Sequence, residues 1–389
     1  MSDDIRPFTI HVDDATLDDL RARLRSARWP DREVVDDWSQ GVPLAYLRDV
    51  ADYWADHYDW RASEARLNRF AQFVTTIGPG EADVEPLDVH FIHVRSPHEH
   101  AMPLLLSHGW PGSVVEFHKV IEPLTNPTAF AGDASDAFHV VAPSLPGFGF
   151  SGKPTVPGWG VERIGATFAA LMARLGYRRY VAQGGDWGSA ITAVIGDVDA
   201  EHCAAIHVTL AMSARPTGAP TDPEEFYAIE RAMHYQQWDS GYSTQQKSRP
   251  QTVGYGLHDS PVGQLAWILE KMWAWTDCDG HPENALSRDE MLDNVMLYWA
   301  TESATSSARI YWESFGRETS PSVKVPVGFA VYPKEIVPPV RKWVSDSYPD
   351  VSHWKQYDKG GHFAAWEVPD TFVADIREWA RPFRTSTAR

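Results

Sequence analysis

Hydrophobic positions in the first 70 residues recur at helical spacing, beginning with Leu17, Leu20 and Leu24 behind a Thr16-x-x-Asp19 capping pattern. Residues from about 13 to 70 are therefore predicted to be mostly helical. The period then shortens to two. Phe73 to Ile77 and Leu87 to Val94 read as strands, the second with His90, Ile92 and Val94 on one face and Val89, Phe91 and His93 on the other. Short apolar runs follow at residues 104–106, 138–142, 181–182 and 205–208, alternating with helix-like stretches from Val114 to Glu122 and from Val161 to Leu175. This alternation predicts an α/β chain built on a doubly wound, mainly parallel sheet. From Ser213 to Pro321 the strand signal fades into helix-like, tryptophan-rich sequence, which suggests an inserted helical lid. Strand-like sequence resumes at 325–331 and 353–357, ahead of an amphipathic helix from Asp370 to Ala380. The expected organisation is a helical arm (1–80), a first core segment (81–212), a lid (213–321) and a second core segment (322–389).

Within that frame, Gly184-Gly185-Asp186-Trp187-Gly188 lies between the apolar run at Tyr180-Val181-Ala182 and a helix-like stretch. It matches a strand-to-helix nucleophile elbow, in which small residues flank a strained turn, with aspartate where an esterase carries serine. A plain glycine turn ending in an N-cap aspartate is the alternative. A carboxylate attacking saturated carbon leaves an alkyl ester that water can open, so Asp186 points to a substrate with a leaving group on sp³ carbon, an epoxide or a halide. His362, in Gly360-Gly361-His362-Phe363 between the last strand and the last helix, is placed to activate that water. Glu335, just past a strand end, is placed to orient the imidazole, with Asp358 and Asp346 as weaker rivals. The order nucleophile, acid, histidine matches that of α/β-hydrolases. His108-Gly109-Trp110-Pro111-Gly112 follows a strand, and the backbone amides of Trp110 and Trp187 could hold an oxyanion. A cis Trp110–Pro111 bond would turn the Trp110 amide inward.

Composition narrows the partners. The 389 residues are 43% hydrophobic and carry a formal charge of −18, which argues against nucleic acid or an anionic membrane and leaves small neutral substrates. Cys203 and Cys278 are too few and too far apart for a disulfide framework or structural zinc, so a reducing, cytoplasmic setting is expected. The acidic start and the lack of a long apolar run predict a soluble protein. The pattern calls for no cofactor and no metal.

These motifs together resemble the epoxide hydrolases of the microsomal and juvenile-hormone type, over nearly the whole chain. His108-Gly109-Trp110-Pro111 resembles their oxyanion motif and Gly185-Asp186-Trp187-Gly188 their nucleophile motif. Ser240-Gly241-Tyr242 and the later Thr252-Val253-Gly254 with Asp259-Ser260-Pro261-Val262-Gly263 resemble a stretch peculiar to them. The resemblance implies an α/β-hydrolase fold with Tyr242 and Tyr311 as lid tyrosines and Glu335 as the acid. It implies hydrolysis of an epoxide to a vicinal diol through an Asp186 ester, with water as the second reactant. The microsomal enzymes' N-terminal anchor has no counterpart in the sequence. An apolar or aryl epoxide, a role in secondary metabolism and a homodimer are further expectations; a haloalkane dehalogenase and a catalytically silent binding protein are the alternatives.

Overall fold

The computed structural model describes residues 4–78, 85–211, 218–316, 321–345 and 347–384. Nine strands form one sheet: β1 Arg6–Phe8, β2 Gln72–Ile77, β3 Leu87–Val94, β4 Met102–Ser107, β5 Phe138–Pro143, β6 Tyr180–Gly184, β7 Cys203–Val208, β8 Val327–Val331 and β9 Val351–Gln356. Their order is β1-β2-β3-β5-β4-β6-β7-β8-β9. β1, β2 and β3 run antiparallel to their neighbours, and from β5 to β9 every pairing is parallel. β6 and β8 are buried at every position, as parallel strands covered by helices on both faces must be, and this is why β8 appears in the sequence as a short apolar run and β6 as the apolar residues Tyr180 to Ala182 ahead of Gln183 and Gly184. The fold is that of an α/β-hydrolase.

Local departures from the expected pattern have physical reasons. The first helix, Asp14–Arg25, is capped by Asp13, whose side chain accepts from the Thr16 amide, and not by Thr16; Leu17, Leu20 and Leu24 form its buried face. β1 pairs through only three residues with β2, too short a run to show a period of two. Val114–Phe117 is a 3-10 turn and Ile121–Thr125 a separate short helix, where one helix is expected. Among the described residues from 218 to 316 there is no strand, only helices and the π-turn Tyr235–Asp239.

The helix Arg288–Ala300 joins three parts of the molecule. Toward the N-terminal segment, Tyr53 and Tyr58 donate to Asp289 and Asp293 at 2.7 Å each, and Arg66 pairs with Asp293 at 2.9 Å. Toward the loop after β4, Asn294 Nδ2 donates to the Pro111 carbonyl, Ser113 Oγ to Asn294 Oδ1, and Tyr298 to the Gly112 carbonyl, all at 2.7 Å.

The C-terminal helix Pro369–Ala380 is held to the sheet by one carboxylate. Asp375 accepts from His207 Nε2 at 2.9 Å, His353 Nε2 at 2.8 Å and Tyr357 Oη at 2.6 Å. His207 and His353 flank Gly328 in register across β7, β8 and β9, and the Trp379 ring fills the space a Cβ of Gly328 would need. His207, His353 and Asp375 also form a group that could geometrically take a metal. The hydrogen bonds that Nε2 of both histidines and the Tyr357 hydroxyl make to Asp375 use the group as an anchor between helix and sheet.

Burial by itself would raise the Asp375 pKa, but the hydrogen bonds from His207 and His353 hold it well below the usual carboxylate range. A depressed folded-state pKa stabilises above the unfolded value of about 3.9 and is lost as pH falls through the folded one. Asp375→Asn is expected to lower stability by about 2–3 kcal/mol at pH 7 and by much less at low pH. Urea midpoints at neutral and acid pH check this, and an equal loss at both would mean that the carboxylate charge is not the anchor.

Candidate active site

Asp186 follows β6 by two residues and caps the start of the helix Trp187–Val198, with φ +50° and ψ −130°, a conformation that a non-glycine residue adopts only under constraint. The constraint is the close crossing of helix and strand. A Cβ on Gly184 would run into the Gly188 carbonyl, and one on Gly188 into the Ser107 carbonyl of β4. Ser189 Oγ donates to the Gly184 carbonyl at 2.8 Å and closes the turn. The Asp186 side chain therefore stands at the free N-terminal end of a helix, where amides without intrahelical partners and the helix dipole favour an anion. The Trp187 amide is the first of these.

The two carboxylate oxygens of Asp186 have different surroundings. Oδ1 accepts from the Trp110 amide at 2.8 Å, beside a cis Trp110–Pro111 bond. Oδ2 lies 3.3 Å from His362 Nε2. That contact has the distance but not the alignment of a hydrogen bond, for Nε2 has no hydrogen-bond partner. His362 Nδ1 faces Glu335 Oε1 at 2.5 Å, and Glu335 is wholly buried, its Oε1 also accepting from the Ile336 amide. Burial alone would push the imidazole pKa down; Glu335 and Asp186 overcome this and hold it well above its usual value. Asp358 makes no such contact, and Asp346 lies outside the described residues.

Tyr242, on the helix Gly241–Ser248, and Tyr311, on the helix Ala304–Ser314, reach the same place from the opposite side. Their hydroxyls are 3.4 Å apart, and both line, with Asp186 and Trp187, a cavity of about 350 Å³ whose other walls include Leu210, Ile229, Phe315, Val337 and Trp343. Tyr242 stacks on Trp110 at 4.8 Å, and Tyr311 meets Trp187 edge-on at 4.9 Å. Burial raises both phenol pKa values well above the ordinary one, so both hydroxyls carry their protons. The structure thus brings together all seven residues singled out in the sequence.

Three neighbours were not anticipated. Tyr235, in the π-turn, shares its hydroxyl with Tyr242 at 3.2 Å and donates to Ser243 Oγ; its spacing of seven from Tyr242 was the available signal. Glu116 is buried against Gly112, where a Cβ would overlap its carboxyl oxygen, and burial pushes its pKa up to about 8. Its neutral form keeps a third anion away from an imidazole that already faces two. Lys271, adjacent to Glu270 within an apolar helix, is the third.

This geometry has close counterparts. Residues 5–117 match the model of the epoxide hydrolase N terminus, and residues 102–240 match that of the alpha/beta hydrolase fold. The chain is 50% identical over 384 residues to a Stigmatella aurantiaca protein provisionally named an epoxide hydrolase, covering 98% of this chain and 86% of that one. It is 35% identical over 407 residues to epoxide hydrolase 1 of Sus scrofa, covering 96% and 88%. The chain belongs to the epoxide hydrolases. The crystal structure of juvenile hormone epoxide hydrolase from the silkworm Bombyx mori superposes with a TM-score of 0.88 at 30% identity, over 98% of this chain and 95% of that one. As an epoxide hydrolase, the chain is a hydrolase acting on epoxides, and the halide-releasing and catalytically silent alternatives give way. Among the described residues, no helix of this epoxide hydrolase is long and apolar enough to cross a membrane.

Gly109 tests how tightly the site is built, because a Cβ there would fall on the Asp186 carboxylate. Gly109→Ala is expected to leave a folded protein whose diol formation is about 10²-fold slower, the cost of displacing an active-site group by about 1 Å. Near wild-type kcat with an unchanged circular dichroism spectrum would mean that the carboxylate has room to move.

Proposed function

We propose that this epoxide hydrolase opens an apolar or aryl epoxide through a covalent ester on Asp186. The observation that carries this reading is one carboxylate and two phenol hydroxyls lining a single, largely apolar cavity, with the His362 Nε2 atom 3.3 Å from the same carboxylate. Asp186 Oδ2, the oxygen not engaged by Trp110, forms the bond to an oxirane carbon. The C–O bond of the ring breaks, its electron pair goes to the oxygen, and Tyr242 and Tyr311 donate to that oxygen as charge appears. The lid region 213–321 supplies these donors, and the core segments supply the rest.

Ester formation also changes His362. Two carboxylates face its imidazole in the free enzyme, and alkylation removes the charge of one of them, so its pKa falls and it becomes able to accept a proton. His362 Nε2 then takes a proton from water, and the hydroxide adds to the Asp186 carbonyl carbon. The negative charge on Oδ1 is held by the Trp110 amide, joined by that of Trp187. Collapse breaks the bond from the carbonyl carbon to Oδ2; the protons given up by water return to the product alkoxide and the tyrosine, and epoxide plus water becomes a vicinal diol. The cavity of about 350 Å³ suits a substrate the size of styrene oxide. The charge of −18 and two buried, unpaired cysteines support a cytoplasmic setting, and a small secondary-metabolite epoxide fits the same chemistry.

Asp186→Ala is expected to form no diol from racemic styrene oxide; diol from that variant would end the nucleophile assignment. His362→Gln should accumulate protein heavier by one substrate molecule in intact mass spectra, and failure to trap it would leave a one-step hydrolysis. Tyr311→Phe should slow alkylation by about 10²–10³, as loss of other oxyanion donors does. In single turnovers, ester hydrolysis should rise with pH through one ionisation whose pKa lies below that of His362 in the free enzyme. The reverse order would remove the proposed coupling between the two steps.

A further inference from the structure

Lys271 is a buried cation with no part in the chemistry described so far. It sits on the helix Pro261–Trp275, is 3% exposed, and does not line the substrate cavity. Its ammonium pairs with Glu270 at 2.6 Å and donates to the Asp239 carbonyl at 3.2 Å. The same Nζ lies over the ring of Tyr242, 4.6 Å from its centroid, and 5.5 Å from that of Trp275. Trp110 is stacked on the Tyr242 ring as well, so this phenol carries both an indole and an ammonium against its π-system. Burying an ammonium beside a carboxylate costs several kcal/mol in desolvation, and an apolar side chain of like volume would pack the position at least as stably.

We propose that Lys271 is a positioning residue for ring opening, its ammonium stabilising the negative charge that spreads into the Tyr242 ring as that phenol passes its proton toward the epoxide oxygen. The attraction between a cation and an aromatic face grows with the electron density of the ring and is largest where water is excluded. It is therefore stronger in the transition state, where the phenol has phenolate character, than in the resting enzyme, and only such a difference accelerates the step. Glu270, on the far side of the ion pair, keeps Lys271 in place. The inference rests on Tyr242 being a donor to the epoxide oxygen, as proposed above.

Single-turnover alkylation and ester hydrolysis with styrene oxide, resolved by acid quench and intact mass, test it. Lys271→Met is expected to slow alkylation about tenfold, between the exposed and the fully desolvated values of a cation–π contact, while ester hydrolysis stays within about twofold. Lys271→Arg should restore most of the alkylation rate. Glu270→Gln combined with Lys271→Met, which leaves no carboxylate unpaired in the interior, should reproduce the tenfold effect if the single variant folds poorly. In a Tyr242→Phe background, Lys271→Met should change alkylation by less than about twofold, because the two residues act as one unit. Equal slowing in both backgrounds, or parallel loss in both steps, would make the Glu270–Lys271 pair a strut of the lid and overturn the proposal. An unchanged alkylation rate in Tyr242→Phe itself would remove the tyrosine assignment and this inference together, an outcome distinct from any result of the Lys271 variants alone.

Discussion

The site depends on the close crossing of one helix over two strands. With no side chain on Gly184 or Gly188, the helix Trp187–Val198 packs backbone to backbone against β6 and β4, and the chain between them must turn through Asp186 at positive φ. Such a conformation costs about 1–3 kcal/mol, which the surrounding packing has to offset. It lifts the carboxylate off the sheet, to the end of a helix and within reach of the Trp110 amide and His362. The loops after β4 and β8 bring their groups to the same edge because parallel strands all end there. A strained residue is thus the point to which the other groups are referenced.

A second set of contacts keeps the tyrosines and the loop after β4 in register with that point. The helix Arg288–Ala300 offers carboxylates to Tyr53, Tyr58 and Arg66 of the N-terminal segment and, one and five residues beyond Asp293, offers Asn294 and Tyr298 to the carbonyls of Pro111 and Gly112. Asp293 is buried, so removing Tyr58 or Arg66 would leave a carboxylate short of partners in the interior, a larger cost than losing the exposed pair between Arg23 and Asp259. The N-terminal segment therefore reaches the chemistry indirectly: it braces the helix that braces the loop holding Asp186 Oδ1.

What the sequence revealed and what it hid divide along physical lines. β8 and the C-terminal helix were legible because full burial or a 3.6-residue period leaves a mark over five or more positions, and β6 because its apolar residues Tyr180 to Ala182 run straight into the glycines of the elbow. The elbow was legible because few backbones need glycine both before and after an aspartate. β1 was hidden by its length, and the break after Phe117 by a run of apolar residues that suits a 3-10 turn as well as an α-helix. Glu116, Tyr235 and Lys271 were hidden for another reason: each matters through a neighbour far away in sequence or across an interface, and no local pattern records which ring an ammonium will cover. Glu270 next to Lys271 in an apolar helix was a visible anomaly, but its meaning needed the position of Tyr242.

The unequal surroundings of the two Asp186 oxygens have a consequence for the origin of the product's atoms. On the proposed route Oδ2 bonds to the substrate and leaves with it when the acyl–oxygen bond breaks, whereas Oδ1, held by the Trp110 amide, stays behind. The incoming water does not enter the diol of its own cycle; its oxygen becomes the new Oδ2 of the aspartate and leaves with the next substrate. The first diol from each protein molecule carries an oxygen laid down when the chain was synthesised, and every later one carries an oxygen from the preceding cycle. On that route Asp186 is a residue whose composition is renewed one atom at a time, and isotopically labelled water would appear in the protein before it appears in the product.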